Sequence, residues 1–325
     1  MYTKKQPISG LIEGDRVEDI FVVKIKKAVI PYARGYRFNL ILSDSSGMSI
    51  QCTYWGESDQ ELVRRVAETI KPDSVVFIRG TVQDFNGKLM ISVNPPDSII
   101  PLKEGDYSRD DFVSPPRRNI EEMSAEFVKY IEGVKNPQIK AVLERMFLED
   151  SAFMEKFRTH PAAIEIHHNW RGGLLQHTLE VLRYCDISKE LFPQMDSDLL
   201  TAGAILHDIG KTDELEVTSR IKATEKGQLK SHISLGYARV LKVMDKLNTP
   251  EGIRNKLLHI ILSHHGNLEY GSPKEPMFPE AVAVYFADEL SSKLTQFIDF
   301  QEFAKKATED SFMYSNRLGR NVYLK

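Results

Sequence analysis

The sequence is poor in cysteine, lacks long hydrophobic runs and carries no large excess of either charge. Its two cysteines, Cys52 and Cys185, lie far apart, which excludes a disulfide framework, and without a CxxC pair we expect no thiolate zinc site. No run of about 18 apolar residues predicts a transmembrane helix, and residues 1–10 lack the apolar core of a signal peptide. These absences favour a soluble protein of a reducing cytoplasm.

Basic and acidic residues nearly balance. The 43 Lys and Arg residues against 46 Asp and Glu residues give a net charge of -3, which argues against a surface that is basic throughout. A local basic groove stays compatible with this average. A length of 325 residues favours two domains, since domains usually have roughly 150 residues.

The first hundred residues have the pattern of a small β-barrel. We predict strands at 20–30, 36–42, 48–55, 75–85 and 88–93, with one helix at 58–70 between the third and fourth. Asn86-Gly87 is a typical type I′ turn between the last two strands. Three strands, a helix and two strands is the order of a five-stranded OB-type barrel.

The composition of the sequence changes after the predicted barrel. Residues 95–119 contain five prolines and predict an extended linker. Beyond residue 120 the pattern is helical, with helices predicted at 137–149, 174–191, 198–209, 231–247, 252–263 and 279–306. We therefore predict a multidomain α and β protein: an OB-fold domain at 1–94, a linker at 95–119 and an all-α helical bundle at 120–325.

All nine histidines follow residue 159, and one of them ends an apolar helix. The pair His207-Asp208 there would be costly to bury without a metal or polar partners. Imidazole suits a transition metal, and a carboxylate can bridge two metal ions. A single histidine on an apolar face is more often a core residue, so only the ordered series favours a metal site. The candidate partners, on other predicted helices, are His177, His232, His264, His265 and Asp288.

Over residues 161–306 this series resembles the HD-domain superfamily of metal-dependent phosphohydrolases. The resemblance rests on Gly-Gly-Leu-Leu-Gln-His177, on His207-Asp-Ile-Gly-Lys211 and on the late Asp288. It implies a first metal held by His177, His207, Asp208 and Asp288, and an Asp208 bridge to a second metal held by His232, His264 and His265.

Three further residues belong to the predicted site. Lys211, together with Asp208, is a candidate catalytic residue, since its ammonium would neutralise charge on a phosphate. The alternative is a lysine that complements a helix dipole. His168 and Arg171 are candidate substrate ligands before a helix N-terminus, where anions are favoured, and their alternative is a solvated loop. We interpret His160 and His259 as structural.

The motifs and the order of the domains indicate which group within the HD superfamily the chain resembles. The chain lacks the Gly-Tyr-Pro signature of cyclic-dinucleotide hydrolases, and Lys211-Thr-Asp213-Glu214 departs from the alarmone hydrolases. A barrel before an HD domain resembles the YhaM-type 3′-to-5′ exoribonucleases. This implies two divalent ions of the manganese type and trimming of single-stranded RNA, with single-stranded DNA as an alternative, to nucleoside monophosphates. Imidazole and carboxylate ligands also accept iron, cobalt, zinc or nickel.

The predicted barrel carries a local basic and aromatic segment. Residues 20–43 contain five cations and no acid, and aromatic residues alternate with them, a combination typical of single-strand binding. The alternative is an ordinary sheet edge with solubilising cations. The predicted strand-binding residues are Lys26, Tyr32, Arg34, Tyr36, Arg37 and Trp55.

Two other functions stay open on the sequence alone. One is an HD phosphohydrolase that acts on small nucleotides, and the other is a nucleic-acid-binding protein with an idle HD domain. We expect no membrane partner, and a homo-oligomer is compatible with the sequence.

Overall fold

Two units make up the chain in the computed structural model, which describes residues 1–46, 48–85, 87–164 and 167–325. The first unit comprises Met1–Pro115 together with Val217–Lys222. The second comprises Pro116–Glu216 and Ala223–Lys325, so the backbone first passes from one unit to the other between Pro115 and Pro116. None of the helices in the described ranges is both long and apolar enough to span a membrane.

The first unit is a closed β structure. Its strands pair in the ring β1–β3–β4–β6–β5–β1, in which only β4 and β6 run parallel. This confirms the predicted OB-type barrel, while Asn86 of the predicted turn lies outside the described residues. The elements are β1 (Arg16–Lys26), β2 (Ile30–Tyr32), β3 (Gly35–Ser43), β4 (Ser49–Trp55), α1 (Gln60–Thr69), β5 (Val75–Phe85), β6 (Lys88–Val93) and β7 (Ile99–Pro101).

Strand alternation and one helix build the barrel core. Phe38, Leu40 and Leu42 of β3 point inward and are fully buried, as a period of two residues requires. Asp59 caps the N-terminus of α1, because its carboxylate accepts hydrogen bonds from the backbone N–H groups of Glu61 and Leu62. The helix packs its apolar face against the barrel core.

The segment predicted as an extended linker differs from the prediction. Residues Ile99–Pro101 form β7, which pairs with Val76–Ile78 of β5. Further on, Phe112 is buried in a small apolar cluster with Ile20 and Val22. The apolar side chains of this proline-rich stretch therefore hold it on the barrel, and Pro101 is tolerated because β7 is an edge strand.

The second unit confirms the predicted helical bundle, although it also contains one short hairpin that the prediction lacks. Asn119, Asn136, Asp150 and Asp196 each cap a helix N-terminus with a side-chain oxygen. The helices are α2 (Ile120–Gly133), α3 (Pro137–Leu143) with a π-helical turn at Glu144–Leu148, α4 (Ser151–Thr159), α5 (Gly173–Leu191), α6 (Ser197–Leu206), α7 (Lys211–Glu214), α8 (Glu225–Lys246), α9 (Glu251–Ser263) and α10 (Pro279–Ala307).

Two short hairpins were not predicted. Strands β8 (Leu215–Val217) and β9 (Ile221–Ala223) form the first, and the carboxylate of Asp73 lies 2.6 Å from Nε of Arg220 near its tip. Strands β10 (Phe312–Ser315) and β11 (Arg320–Tyr323) form the second, which buries Val322 in an apolar cluster on α10. Strands of three or four residues carry too little alternation to be seen in the sequence.

Candidate functional site

Five helices of the second unit bring histidines and carboxylates to one place. His177 lies in α5 and Asp288 lies in α10, while His207 and His264 directly follow the last residues of α6 and α9. His232 follows a break in α8, where Ser231 has a φ of 57°. All five side chains are buried.

The carboxylate of Asp208 lies at the centre of this cluster. Its Oδ2 lies 3.4 Å from Nε2 of His177 and 3.4 Å from Nε2 of His207. Its Oδ1 lies on the other side, 3.6 Å from Nε2 of His232 and 3.5 Å from Nε2 of His264. One carboxylate thus separates two groups of imidazoles.

Each group is compact enough to hold a metal ion. Donor atoms of the first group lie within 4.8 Å of one another, and the same holds for the second group. Nε2 of His177 is 3.1 Å from Oδ1 of Asp288, and Nε2 of His232 is 3.3 Å from Nε2 of His265. The first group is His177, His207, Asp208 and Asp288; the second is His232, His264 and His265.

Hydrogen bonds at Nδ1 orient the imidazoles. Nδ1 of His207 lies 2.8 Å from the carbonyl of Ala204, and Nδ1 of His264 lies 2.8 Å from the carbonyl of Ile261. Because a helix-terminal histidine bonds the carbonyl three residues earlier, its Nε2 faces the cluster. Partners of this kind fix the tautomer and direction of metal-binding histidines.

Side chains that the sequence reasoning missed orient the other rings. Glu214 lies 3.1 Å from Nδ1 of His232, and the hydroxyl of Ser291 lies 3.0 Å from Nδ1 of His177. The Ser291 hydroxyl donates to Glu180 at 2.7 Å. Glu180 and Ser291 lie three residues after His177 and Asp288, so their positions on the same helix faces were the signal available in the sequence.

Gly210 allows α8 to approach the Asp208 segment. A Cβ at this position would lie 1.9 Å from the carbonyl oxygen of His232 and 2.6 Å from the backbone nitrogen of Gly236. Only glycine fits here, because any larger residue would displace the turn of α8 that carries His232.

The charges in the cluster shift the pKa values of its members. Burial opposes ionisation of Asp208, but Lys211 and His207 outweigh it and hold the pKa of that carboxyl well below its usual range. Burial likewise opposes protonation of His177, yet Asp208 and Asp288 raise its pKa to about 9. Burial lowers the pKa of His265 to about 4, so this ring is a neutral donor at physiological pH.

The donor set fits a divalent metal. Oδ1 of Asp208 and Nε2 of His264 are both buried, neither has a hydrogen-bond partner, and they lie 3.5 Å apart. An unpartnered carboxylate oxygen beside an unpartnered imidazole nitrogen is costly unless a cation binds both. Imidazole and carboxylate together are ligands for Mn, Fe, Co, Ni or Zn ions.

The structure brings some of the predicted site residues to the cluster and places others elsewhere. The ammonium of Lys211 lies 2.5 Å from Oδ2 of Asp208. His168 differs from its predicted role as a substrate ligand: it is fully buried, and its Nε2 lies 3.0 Å from Glu180. Arg171 is exposed just before α5.

His160 and His259, interpreted as structural, lie outside both groups. His160 is buried, and burial lowers its pKa to about 4. Nε2 of His259 accepts a hydrogen bond from the backbone N–H of Met277 at 3.1 Å.

On the barrel, three of the predicted strand-binding residues form one cluster. The rings of Tyr32 and Trp55 meet edge to face with centroids 5.0 Å apart, and the guanidinium of Arg37 lies 5.0 Å from the Trp55 ring. Tyr36 is half-buried and Arg34 is exposed at the β2–β3 turn. An aromatic pair with an adjacent guanidinium is suited to stack on a nucleic-acid base.

Lys26 differs from its predicted role. Its ammonium donates to the backbone carbonyls of Ala67 at 3.1 Å and Ile70 at 2.8 Å. Because it satisfies the last carbonyl groups of α1, it stabilises the end of that helix.

Two family models match the chain in the order of its units. Residues 21–97 match the OB-fold nucleic acid binding domain, and residues 174–293 match the HD domain. The second match contains the ligand series from His177 to Asp288.

Relatives extend the likeness to nearly the whole chain. The chain is 31% identical over 307 residues to the 3′-5′ exoribonuclease YhaM of Bacillus subtilis, with 94% of each chain covered. The chain belongs to the YhaM family. The YhaM of a Geobacillus species is 30% identical over 308 residues, which is 94% of this chain and 91% of that relative.

Solved structures resemble parts of this YhaM-family chain. The second OB-fold domain of replication protein A from Methanococcus maripaludis is 23% identical over 30% of this chain and 95% of that domain, with a TM-score of 0.25. A replication protein A heterotrimer bound to single-stranded DNA is 19% identical over 37% of this chain and 29% of that chain, with a TM-score of 0.26.

Proposed function

We propose that this chain is a metal-dependent 3′-to-5′ exoribonuclease that releases nucleoside monophosphates from single-stranded RNA. The observation that carries the proposal is the Asp208 carboxylate, whose two oxygens face two separate groups of imidazoles. The relatives named 3′-5′ exoribonuclease support the polarity and the RNA substrate, because they cover 94% of the chain.

The ligand arrangement supports two divalent cations, with manganese as the proposed ion. His177, His207 and Asp288 would share the first with Asp208, and His232, His264 and His265 would share the second with the same carboxylate. When bound, such a pair supplies Lewis acidity toward phosphoryl oxygens and lowers the pKa of water.

The protein's own groups prepare this site. Burial opposes the charge of Lys211, but Asp208 and Asp288 outweigh it and raise the pKa of its ammonium, so Lys211 stays cationic. A fixed positive charge beside Asp208 stabilises negative charge that develops on a phosphate during cleavage. The hydrogen bonds to Glu214 and Ser291 keep His232 and His177 aimed at the cluster.

The first unit is the proposed strand-binding part. Tyr32 and Trp55 offer aromatic surface, and Arg37, with Arg34 at the nearby turn, offers positive charge to phosphates. Stacking combined with phosphate contacts binds single strands without sequence preference.

Hydrolysis of labelled strands tests this function. The purified chain is incubated with Mn²⁺ and a 5′-labelled single-stranded RNA, its DNA twin or a panel of nucleotides. We expect a ladder that shortens from the 3′ end of the RNA. Asp208→Asn should lower the rate at least 1,000-fold, since loss of a single catalytic electrostatic group costs on the order of 100- to 1,000-fold and this one serves both cations.

The matched control is Asp245→Asn, because Asp245 is an exposed carboxylate in α8 that pairs with Arg254. It should keep the full rate. Turnover of nucleotides with intact RNA would instead identify a small-nucleotide phosphohydrolase. RNA binding without any hydrolysis would identify an idle HD domain, and either result contradicts the proposal.

A further inference from the structure

Helix α10 presents an apolar stripe to solvent on the face opposite the metal cluster. Its members recur every four residues, and each is at least 38% exposed, with Phe286 at 61%. At 1.5 Å per residue the stripe runs about 24 Å along the helix. The stripe consists of Val282, Phe286, Leu290, Leu294 and Ile298.

The N-terminal half of the stripe borders a groove of about 780 Å³. It is lined by Ile187 of α5, by Phe192 directly after α5, by Met277, and by Phe286 and Leu290 of α10. The lining is mostly apolar. The groove therefore lies beside residues 279–290, while Leu294 and Ile298 continue the stripe beyond it.

This apolar surface is larger than a monomer usually exposes. The eight large apolar side chains of the stripe and groove are between 38% and 77% exposed. At roughly 150–250 Å² for a fully exposed large side chain, they present on the order of 800 Å² of apolar area. The largest patch on a typical monomer is about 300–600 Å², whereas one side of a stable protein interface is about 800 Å². The area matches that of one partner in a stable dimer.

The surface is also complementary to itself. In an antiparallel pair of α10 helices related by a two-fold axis at residue 291, Leu294 of one copy meets the space between Phe286 and Leu290 of the other. Ile298 likewise meets the space between Val282 and Phe286. Each copy thus places two stripe residues between stripe residues of its partner, and the same contacts occur in both directions, as an isologous interface requires.

Two charged residues at the edge of the stripe are placed so that the same two-fold axis would pair them. Glu289 and Lys293 lie on one flank of α10, and neither has an ion-pair partner among the residues that the structure describes. The axis at residue 291 places Glu289 opposite Lys293 of the second copy, so each dimer contains two such pairs. We propose that α10 is a homodimer interface in which this stripe packs antiparallel on a second copy of the chain.

This interface would act on the helix that carries the site. Asp288 and Ser291 lie on the buried face of α10, directly behind the proposed axis. Packing of α10 against a second copy fixes the position of both side chains relative to His177.

Sedimentation equilibrium of the full chain tests the proposal. We expect a dimer at tens of micromolar, and Phe286→Glu should raise the dimer dissociation constant at least 100-fold because the change occurs twice. Leu229→Glu is the matched control, since Leu229 is an exposed leucine of α8 and should leave the dimer unchanged. Circular dichroism and thermal unfolding verify that each variant is folded.

Charge exchange gives a second test that leaves the apolar surface intact. Glu289→Lys alone and Lys293→Glu alone should each weaken the dimer about tenfold or more, because both place like charges together. The double exchange should restore it. A monomeric wild-type chain, a dimer that persists in Phe286→Glu, or a double exchange as weak as the single ones overturns the proposal. A chain that stays monomeric but floats with lipid vesicles overturns it in favour of a membrane.

Discussion

At the scale of single residues, the ligand types were predictable and the directions of long side chains were not. His207-Asp208 followed from the cost of placing a polar pair at the end of an apolar helix. The sequence predicts substrate contacts for Lys26 and His168, but in the structure Lys26 binds the carbonyls of Ala67 and Ile70, and His168 binds Glu180. These partners lie elsewhere in the chain, so the sequence does not reveal them. Only packing shows which way such a side chain turns.

His160 gives a prediction for the pH dependence of stability. Burial, reinforced by Lys156, lowers its folded-state pKa to about 4, below the ordinary 6.5. The unfolded chain therefore takes up a proton at this residue below pH 6.5 while the folded chain does not, and stability falls as pH decreases toward 4. The contribution is about 3 kcal/mol, from about 1.4 kcal/mol for each pKa unit.

Urea unfolding of a Trp55→Phe background measures this effect, since Trp170 then reports on the second unit alone. His160→Gln should lose less stability than its parent between pH 7 and pH 4. Identical pH profiles for the two proteins would show that His160 does not cause the decrease.

At the scale of elements, strong periodicity predicted position well. The strands Val75–Phe85 and Lys88–Val93 have the predicted bounds, and α9 and α10 agree with prediction to within one residue. The sequence does not predict the hairpins β8–β9 and β10–β11. Strands of three or four residues are stabilised by tertiary contacts, and they are too short to show an alternating pattern. The ligand cluster depends on how five helices pack, which periodicity does not specify.

The close approach of α7 and α8 gives a prediction at this scale. Gly210→Ala places a methyl group 1.9 Å from the His232 carbonyl, so α8 must shift and His232 moves away from Asp208. We expect a loss of stability of about 1–3 kcal/mol, as for overpacked cores. Calorimetry with Mn²⁺ should show weaker binding, mainly at the second site.

Gly252→Ala in α9 is the control, because a methyl group added at this position would meet no other atom within 4 Å. It should leave stability and metal affinity close to those of the wild type. Equal behaviour of the two variants would mean that the approach at Gly210 is unimportant.

At the scale of the whole molecule, the proposed function assigns strand binding and hydrolysis to different units. Trp55→Ala removes the central ring of the Tyr32–Trp55–Arg37 cluster. RNA affinity should fall about 10- to 100-fold, since a base stacked on an aromatic side chain contributes about 1–3 kcal/mol. Fluorescence anisotropy in the Asp208→Asn background measures this without cleavage, while the cleavage rate at saturating RNA should stay near that of the wild type.

Tyr107→Ala is the matched control, because Tyr107 packs on Phe112 in an edge-to-face pair of similar geometry elsewhere in the first unit. It should leave RNA affinity unchanged. An equal loss in both variants would point to a general weakening of the barrel.

The β8–β9 hairpin has a consequence for the ancestry of the chain. Residues Val217–Lys222 belong to the first unit although the segments before and after them belong to the second, so the backbone passes between the units three times. Ser219 and Arg220 both bind Asp73, whose φ of 65° is unusual for a non-glycine residue. Recombination at the Pro115-Pro116 junction would therefore exchange a barrel without the hairpin that fits it. We therefore expect Asp73 to change in step with Arg220 among relatives of the chain.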